Sequence, residues 1–239
     1  MKNCFTCMAV LQTAGKNNLK NCFTYMAVLQ TARKKKLVEW LCMQIPSKKQ
    51  CYQLICNMEM MDHIAAHSVR VCQVAMLLTD HLKIEHSELN RGLVQASALL
   101  HDITKTRSFK TGESHAVTGG EFLSSLGYAK VGDIVRQHVQ LDKYVVSGTP
   151  TETEIVNYAD KRVLHDKVVP LGERLDYILE KYGKSPELME RIHRVWKKTD
   201  EMEDKLFDGL SFPPEAVSSL LTQEEFSEEI SKCRAFTRE

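Results

Sequence analysis

The segment ALLHDITK, residues 98–105, constrains this chain most: an apolar helical run leads directly into an adjacent imidazole and carboxylate, His101 and Asp102. A buried His-Asp pair is costly unless something cationic compensates it, and a divalent metal is such a compensation. Adjacent side chains on a helix diverge by about 100°, so both can serve one ion only at a helix end, where the backbone leaves its regular path.

The surrounding sequence reads as helix. From Asp62 onward apolar residues recur at spacings of three and four (Ile64, Val69, Val71, Val74, Leu77, Leu78, Leu82), with little strand-like alternation. Ser47, after Pro46, is an N-cap candidate for a helix through about Met60, and Ser87, Asn90 and Arg91 open the helix that ends in His101-Asp102. Further helices are expected at about 115–126, 130–140, 152–168, 171–182, 186–207 and 222–235, with Gly127, Gly148-Thr149-Pro150, Gly183 to Pro186 and Pro213-Pro214 as breaks. The expected fold class is all-α, with a core at 60–182, an N-terminal helical extension at 1–59 and a C-terminal helical extension at 183–239.

The first extension carries a near-perfect repeat. KNCFTCMAVLQTA at 2–14 returns as KNCFTYMAVLQTA at 20–32, with Cys7 replaced by Tyr25 as the one change. Two copies fall short of the three or so that a solenoid needs, so the repeat reads as a duplication and is assigned no chemistry. Arg33-Lys34-Lys35-Lys36 reads as a solvated linker, and Cys4-x-x-Cys7 as no zinc half-site, because its second copy lacks the second cysteine.

Bulk properties exclude several partners. With 32 Lys plus Arg against 31 Asp plus Glu there is no global field to hold nucleic acid or an anionic membrane, so phosphate recognition must be local. No apolar run approaches the roughly 18 residues of a membrane span, and Cys4–Leu11 is followed by no cleavage pattern of a secretory signal. The eight cysteines lack a dense disulfide framework and read as reduced thiols, so a cytoplasmic location is expected.

Other polar groups fall on apolar stripes. His67 lies in DHIAAHSVRVCQVA, four residues before Val71 and seven before Val74; a lone histidine there is more often a satisfied core residue than a ligand. His115 opens HAVTGGEFL, where Gly119 and Gly120 allow close approach of a helix or ligand. His138 shares a face with Ile134 and Val131, and Asp160 lies beside the stripe Ile155, Val156, Ala159, Val163. Together these supply four imidazoles and two carboxylates, a set suited to two first-row metals; mixed nitrogen and oxygen donors fit Fe, Mn, Zn, Ni or Co.

The order H…HD…H…H…D resembles the HD superfamily over about residues 62–182, specifically its HDIG-like branch with dinuclear sites. HDITK, ESHAVTGGEFL and YADKR carry the resemblance, and the last is similar to the small symmetrical diadenosine-tetraphosphate hydrolases. The resemblance implies an HD-domain helical bundle in which His67, His101, Asp102 and Asp160 bind one divalent ion and Asp102, His115 and His138 a second, Fe or Mn being favoured and Mg also possible. It implies a phosphohydrolase acting on a nucleotide or small phosphorylated compound through a metal-bridging hydroxide, with Asp102 as the catalytic bridge. Thr104 replaces the glycine usual after HDI. The HDxxED of guanosine-tetraphosphate hydrolases and the Gly-Tyr-Pro signature of cyclic-di-GMP phosphodiesterases are absent, and no second histidine follows His138 as in trinuclear relatives.

Lys105, one turn beyond His101, reads either as a donor to a substrate phosphate or as a solvated helix-end lysine. Arg107 and Lys110 read as loop charge, and Arg162 as orienting Asp160 or a phosphate, or pairing with Asp166. His165-Asp166 reads as a surface pair on the helix of Asp160, and His63, His81, His86 and His193 as exposed. The rival function is a signalling or scaffold protein that keeps the fold without turnover; a nucleic-acid role is weaker, for want of an aromatic-basic stripe.

Overall fold

The computed structural model describes residues 44–236. The duplicated segment, Arg33 to Lys36 and the first four cysteines lie outside them.

Helices begin where the sequence offers caps. Ser47 closes a capping box with Gln50 at the start of α1 (Lys48–Asn57), and Asn90 accepts from the Leu93 amide at the start of α3 (Arg91–Leu100). Thr151 and Glu154 form a capping box for α7 (Glu152–Lys161), and each such cap contributes about 1 kcal/mol. Between these lie α2 (Asp62–Leu82), α4 (Lys105–Thr111), α5 (His115–Ser125) and α6 (Ala129–Gln137).

The long α2 presents its three-and-four stripe to α3 and α7. Val69, Val74, Leu78, Leu99, Leu100, Ile103, Leu123, Ile155 and Tyr158 form one core with them. Helices α5 and α6 pack at backbone contact: a Cβ on Gly120 would lie 2.7 Å from the Gly132 carbonyl, and one on Gly132 would lie 2.5 Å from that of Gly120. The close approach expected at Gly119-Gly120 is therefore that of a helix.

The helix expected at 152–168 stops at Lys161. A two-stranded antiparallel hairpin follows, β1 (Val163–Leu164) with β2 (Lys167–Val168), paired Val163 to Val168 and Leu164 to Lys167. His165 turns it in the left-handed region, at φ 58°. His165-Asp166 thus sits on a hairpin tip, not on a helix.

Beyond the hairpin come α8 (Leu171–Tyr182), α9 (Pro186–Phe207), a 3₁₀ turn (Pro214–Ala216), α10 (Val217–Leu220) and α11 (Gln223–Ala235). Met202, Leu206, Val217, Phe226 and Ile230 from this C-terminal part join the same core. Polar ties reinforce the packing. Lys205 pairs with Glu154 at 2.8 Å, and Arg162 donates to the carbonyls of Val169 and Pro214 and to Glu203. Arg162 is buried among these partners, so it neither orients Asp160 nor pairs with Asp166.

Cys51, Cys56, Cys72 and Cys233 are free thiols, and burial pushes Cys51, Cys72 and Cys233 up to about 12, which makes them inert at neutral pH. Among the described residues no helix is long and apolar enough to cross a membrane.

Candidate metal centre

Helix α3 ends at Leu100, and residues 101–104 form turns before α4 begins, so His101 and Asp102 stand at a helix end. Both side chains are fully buried. Around them the fold gathers His67 from the second turn of α2, His115 from the first position of α5, His138 from the C-cap of α6 and Asp160 from the last turn of α7.

The four imidazoles stand in a row, with ring centroids 5.3 Å apart between His67 and His101, 5.0 Å between His101 and His138, and 5.1 Å between His138 and His115. The carboxylates lie alongside. Asp160 Oδ1 is 3.0 Å from His67 Nε2 and 3.5 Å from His101 Nε2. Asp102 Oδ2 is 3.3 Å from His101 Nε2, and its Oδ1 is 3.2 Å from His115 Nε2 and 3.7 Å from His138 Nε2.

Three of the rings are oriented by backbone carbonyls. His67 Nδ1 lies 2.8 Å from the His165 carbonyl, His101 Nδ1 2.8 Å from that of Ala98, and His138 Nδ1 2.6 Å from that of Val135. A carbonyl only accepts, so each Nδ1 carries the proton and each Nε2 presents its lone pair to the centre in the neutral ring. Lone pairs therefore converge on lone pairs. His101 Nε2 and Asp102 Oδ1 are buried without a hydrogen-bond partner, a condition that favours a cation between them.

Among the described residues, two groups have donor atoms close enough to hold an ion, His67 with His101 and Asp102, and Asp102 with His115 and His138; within each, the atoms lie within 4.8 Å of one another. Asp102 belongs to both. The donors fit a first-row divalent metal.

A proton on His101 supplies the positive charge that faces the two carboxylates. Burial works against a charge on His101, but Asp102 and Asp160 outweigh it and push His101 up to about 10. Burial likewise opposes ionised Asp102 and Asp160, yet His101 and its neighbours hold both carboxyls well below the ordinary range. His138 goes the other way: burial, then the charge on His101, push it down to about 3, so it is neutral.

The floor of the centre is buried and its rim is partly exposed. Side-chain exposure is 0% at His101 and Asp102 and 2% at His138, but 14% at Asp160, 25% at His115 and 29% at Lys105. Lys105 Nζ donates to Asp102 Oδ2 at 2.7 Å, which replaces the solvated reading with an ion pair. Burial opposes its charge, Asp102 and Asp160 restore it, and the ammonium is held above its ordinary value, while Arg174 pulls the other way. Arg107 and Lys110 lie on α4, not in a loop, and Arg107 pairs with Glu113.

Of the remaining histidines, His63 and His193 are exposed, but His81 is half-buried, bonded to the Leu77 carbonyl and edge-on to Phe212, and His86 is half-buried too.

Several groups around the centre escaped the sequence reading. Asn157 Nδ2 donates to the carbonyls of Gln137 and His138, both at 2.9 Å, and Lys161 Nζ donates to that of His138 at 3.2 Å and to Asn157 Oδ1 at 2.7 Å. Their spacing of four residues was visible, but their partners are about 20 residues away and carry no pattern. The His165 carbonyl is a backbone group with no side-chain signal at all.

Residues 64–163 match the HD domain family. The chain is 29% identical over 154 residues to a protein named tRNA (cytidine(56)-2'-O)-methyltransferase of Picrophilus torridus, a match covering 59% of this chain and 42% of that one. It is 26% identical over 144 residues to an uncharacterised protein of Methanocaldococcus jannaschii, covering 55% and 84%. The chain thus spans less than half the length of the Picrophilus relative. No solved structure matches it significantly. All six clustered side chains lie within 64–163, the stretch that matches the HD domain family.

Proposed function

We propose that this chain is a metal-dependent phosphohydrolase acting on a phosphoester or phosphoanhydride of a small phosphorylated compound, with a nucleotide as the favoured class. One observation carries the reading: the Nε2 atoms of His67, His101 and His138, each ring turned inward by a backbone carbonyl on its Nδ1, converge on two carboxylates, and His101 Nε2 and Asp102 Oδ1 have no hydrogen-bond partner. A scaffold has no use for such an arrangement, because each buried unpartnered polar atom costs about 1–3 kcal/mol.

His67, His101, Asp102 and Asp160 would hold one divalent ion, and Asp102, His115 and His138 a second. Such ions lower the pKa of water and neutralise phosphoryl charge. The chain's own groups do the rest. Asp102, shared by both groups, sets their spacing and accepts from Lys105, which keeps it ionised. The burial of His101 and His138 strengthens every electrostatic contact made there. The open side at Asp160, His115 and Lys105 is where a phosphoryl group can approach.

The test is elemental analysis of protein purified without chelator, beside Asp102→Ala, with phosphate release measured on a nucleotide panel under added Mn or Fe. The panel includes a tRNA, because one relative is named as a tRNA-modifying enzyme. The expected result is metal near two per chain, lost together with activity in Asp102→Ala. Folded protein that stays metal-free and inactive under every metal would favour the scaffold instead.

A further inference from the structure

We propose that the cleft between α9 and the segment 139–141 binds a small organic phosphate, of the charge and size of a nucleoside diphosphate, apart from the His/Asp centre. The inference stands independently of the phosphohydrolase reading, because none of the six clustered side chains lines this cleft.

The cleft has a volume of about 350 Å³, within the roughly 300–1,000 Å³ usual for small-molecule pockets. Its floor is made of side chains that folding buries, Asn157 of α7 with Thr199 and Met202 of α9, and Val139 and Leu141 give it an apolar wall. The exposed part of its lining is cationic. Arg191, Arg194 and Lys198 all line it, and no carboxylate does.

These three residues are spaced three and four apart, so they stand on one face of α9, where like charges one turn apart repel. Few partners offset that repulsion. Arg194 pairs with Glu190 at 3.0 Å between exposed groups, and one nitrogen of Arg191 donates to Gln140 Oε1 at 3.3 Å. Lys198 has no ion pair or hydrogen bond with any described residue. The cations therefore outnumber their carboxylate, and a multiply charged anion seated among them relieves the excess. Guanidinium forks suit phosphate oxygens through paired donors, and the ammonium adds a point charge. The apolar wall behind them suits an organic body better than a bare ion.

The cleft lies behind the backbone of His138. Its wall begins at Val139, and Asn157 on its floor donates to the Gln137 and His138 carbonyls, whereas the His138 ring turns towards Asp102. An occupant of the cleft and an ion at the centre would thus lie on opposite sides of one residue.

The experiment titrates ADP, and separately inorganic phosphate, into the full chain by calorimetry. It compares wild type with Arg191→Gln/Lys198→Gln, with Lys184→Gln/Lys197→Gln and with Asp102→Ala, and reads melting temperatures on the same samples. All four cations are exposed, so both double variants are expected to keep the fold. Arg191→Gln/Lys198→Gln should bind ADP at least about ten-fold more weakly, through loss of charge-assisted hydrogen bonds. Lys184→Gln/Lys197→Gln removes the same charge outside the cleft and should change affinity less than about two-fold. Asp102→Ala should bind ADP as wild type does, and wild type should bind inorganic phosphate more weakly than ADP. Wild type that binds no ADP overturns the proposal, as does equal loss in the two double variants or equal affinity for ADP and phosphate. ADP binding that is lost in Asp102→Ala and kept in Arg191→Gln/Lys198→Gln overturns it too, because the ligand then sits at the metal centre. A tRNA that displaces ADP and depends on the same two side chains would make the cleft part of a nucleic-acid face and overturn it as well.

Discussion

His67 and His165 are joined by one hydrogen bond, from His67 Nδ1–H on α2 to the His165 carbonyl at 2.8 Å, and it reaches the tip of a hairpin whose strands are two residues each. The hairpin places a single acceptor behind a candidate metal ligand. That acceptor depends on backbone shape, because His165 sits at φ 58° and its side chain is exposed.

A change of backbone at this position should therefore act on metal, and a change of side chain alone should not. Glycine adopts positive φ freely, so His165→Gly is expected to keep metal content unchanged. Proline locks φ near −65°, so His165→Pro is expected to swing the carbonyl away and weaken metal binding by roughly 10–100-fold, the usual effect of losing an outer partner of a ligating histidine. Metal titration of the two variants checks this, and equal affinities would refute it.

The His101 proton makes metal binding pH-dependent. His101 is held up to about 10 in the metal-free protein, so at neutral pH an entering ion must displace its proton. About one proton per chain should be released at pH 7, measured by calorimetry in two buffers of different ionisation enthalpy, and affinity should rise with pH until about pH 10. The sign for the metal-free fold is opposite. A raised folded pKa stabilises fully below the unfolded value of about 6.5 and loses that stabilisation as pH climbs towards the folded one, while the depressed Asp102 and Asp160 contribute above about 3.8 and lose their contribution on acidification. The gap between the melting temperatures of metal-loaded and metal-free protein should consequently widen from pH 6.5 upward.

Much of this centre could be read in the sequence because its residues break a rule locally. His101-Asp102 interrupts an apolar helix, and His67, His138 and Asp160 stand on or beside apolar stripes, so each announces a polar group that folding will bury. The helices were legible for the same reason, since stripe and cap coincide at Ser47, Asn90 and Thr151. The hairpin was not. Two-residue strands have no period to detect, and Val163 and Val168 fit a helical stripe as well as they fit a ladder. Arg162 was opaque because only partners about 40 to 50 residues away distinguish it from surface charge.

Asn157 and Lys161 form a clasp over the end of α6. Together they satisfy the carbonyls of Gln137 and His138, where an α-helix leaves acceptors without partners, and His138 is the residue whose ring enters the centre. Asn157→Leu removes both amide donors and leaves the Gln137 carbonyl without a partner, while Lys161 still reaches that of His138, costing roughly 1–3 kcal/mol of stability for one buried unsatisfied group. Denaturant unfolding reads that loss. The same variant should bind less metal in the group that includes His138 while retaining more in the group that includes His67, which makes stoichiometry fall before the fold is lost.

Gly120 and Gly132 face each other across the α5–α6 contact, and this contact sets the separation of two candidate ligands. Helix α5 begins at His115 and α6 ends against His138, whose Nε2 atoms lie 3.2 Å apart. A methyl group at Gly132 would fall 2.5 Å from the Gly120 carbonyl, and backbone cannot rotate aside as a side chain can. The helices must then separate. Gly132→Ala is expected to destabilise by about 1–3 kcal/mol or more, at the upper end of overpacking, despite alanine's better helix propensity. Gly172→Ala is the control, since that position on α8 has open space around it and should gain stability from the same propensity. If the two variants shift the unfolding midpoint equally, packing at Gly132 is looser than the backbone distances imply; if only Gly132→Ala loses stability and with it metal, the α5–α6 contact is what holds His115 beside His138.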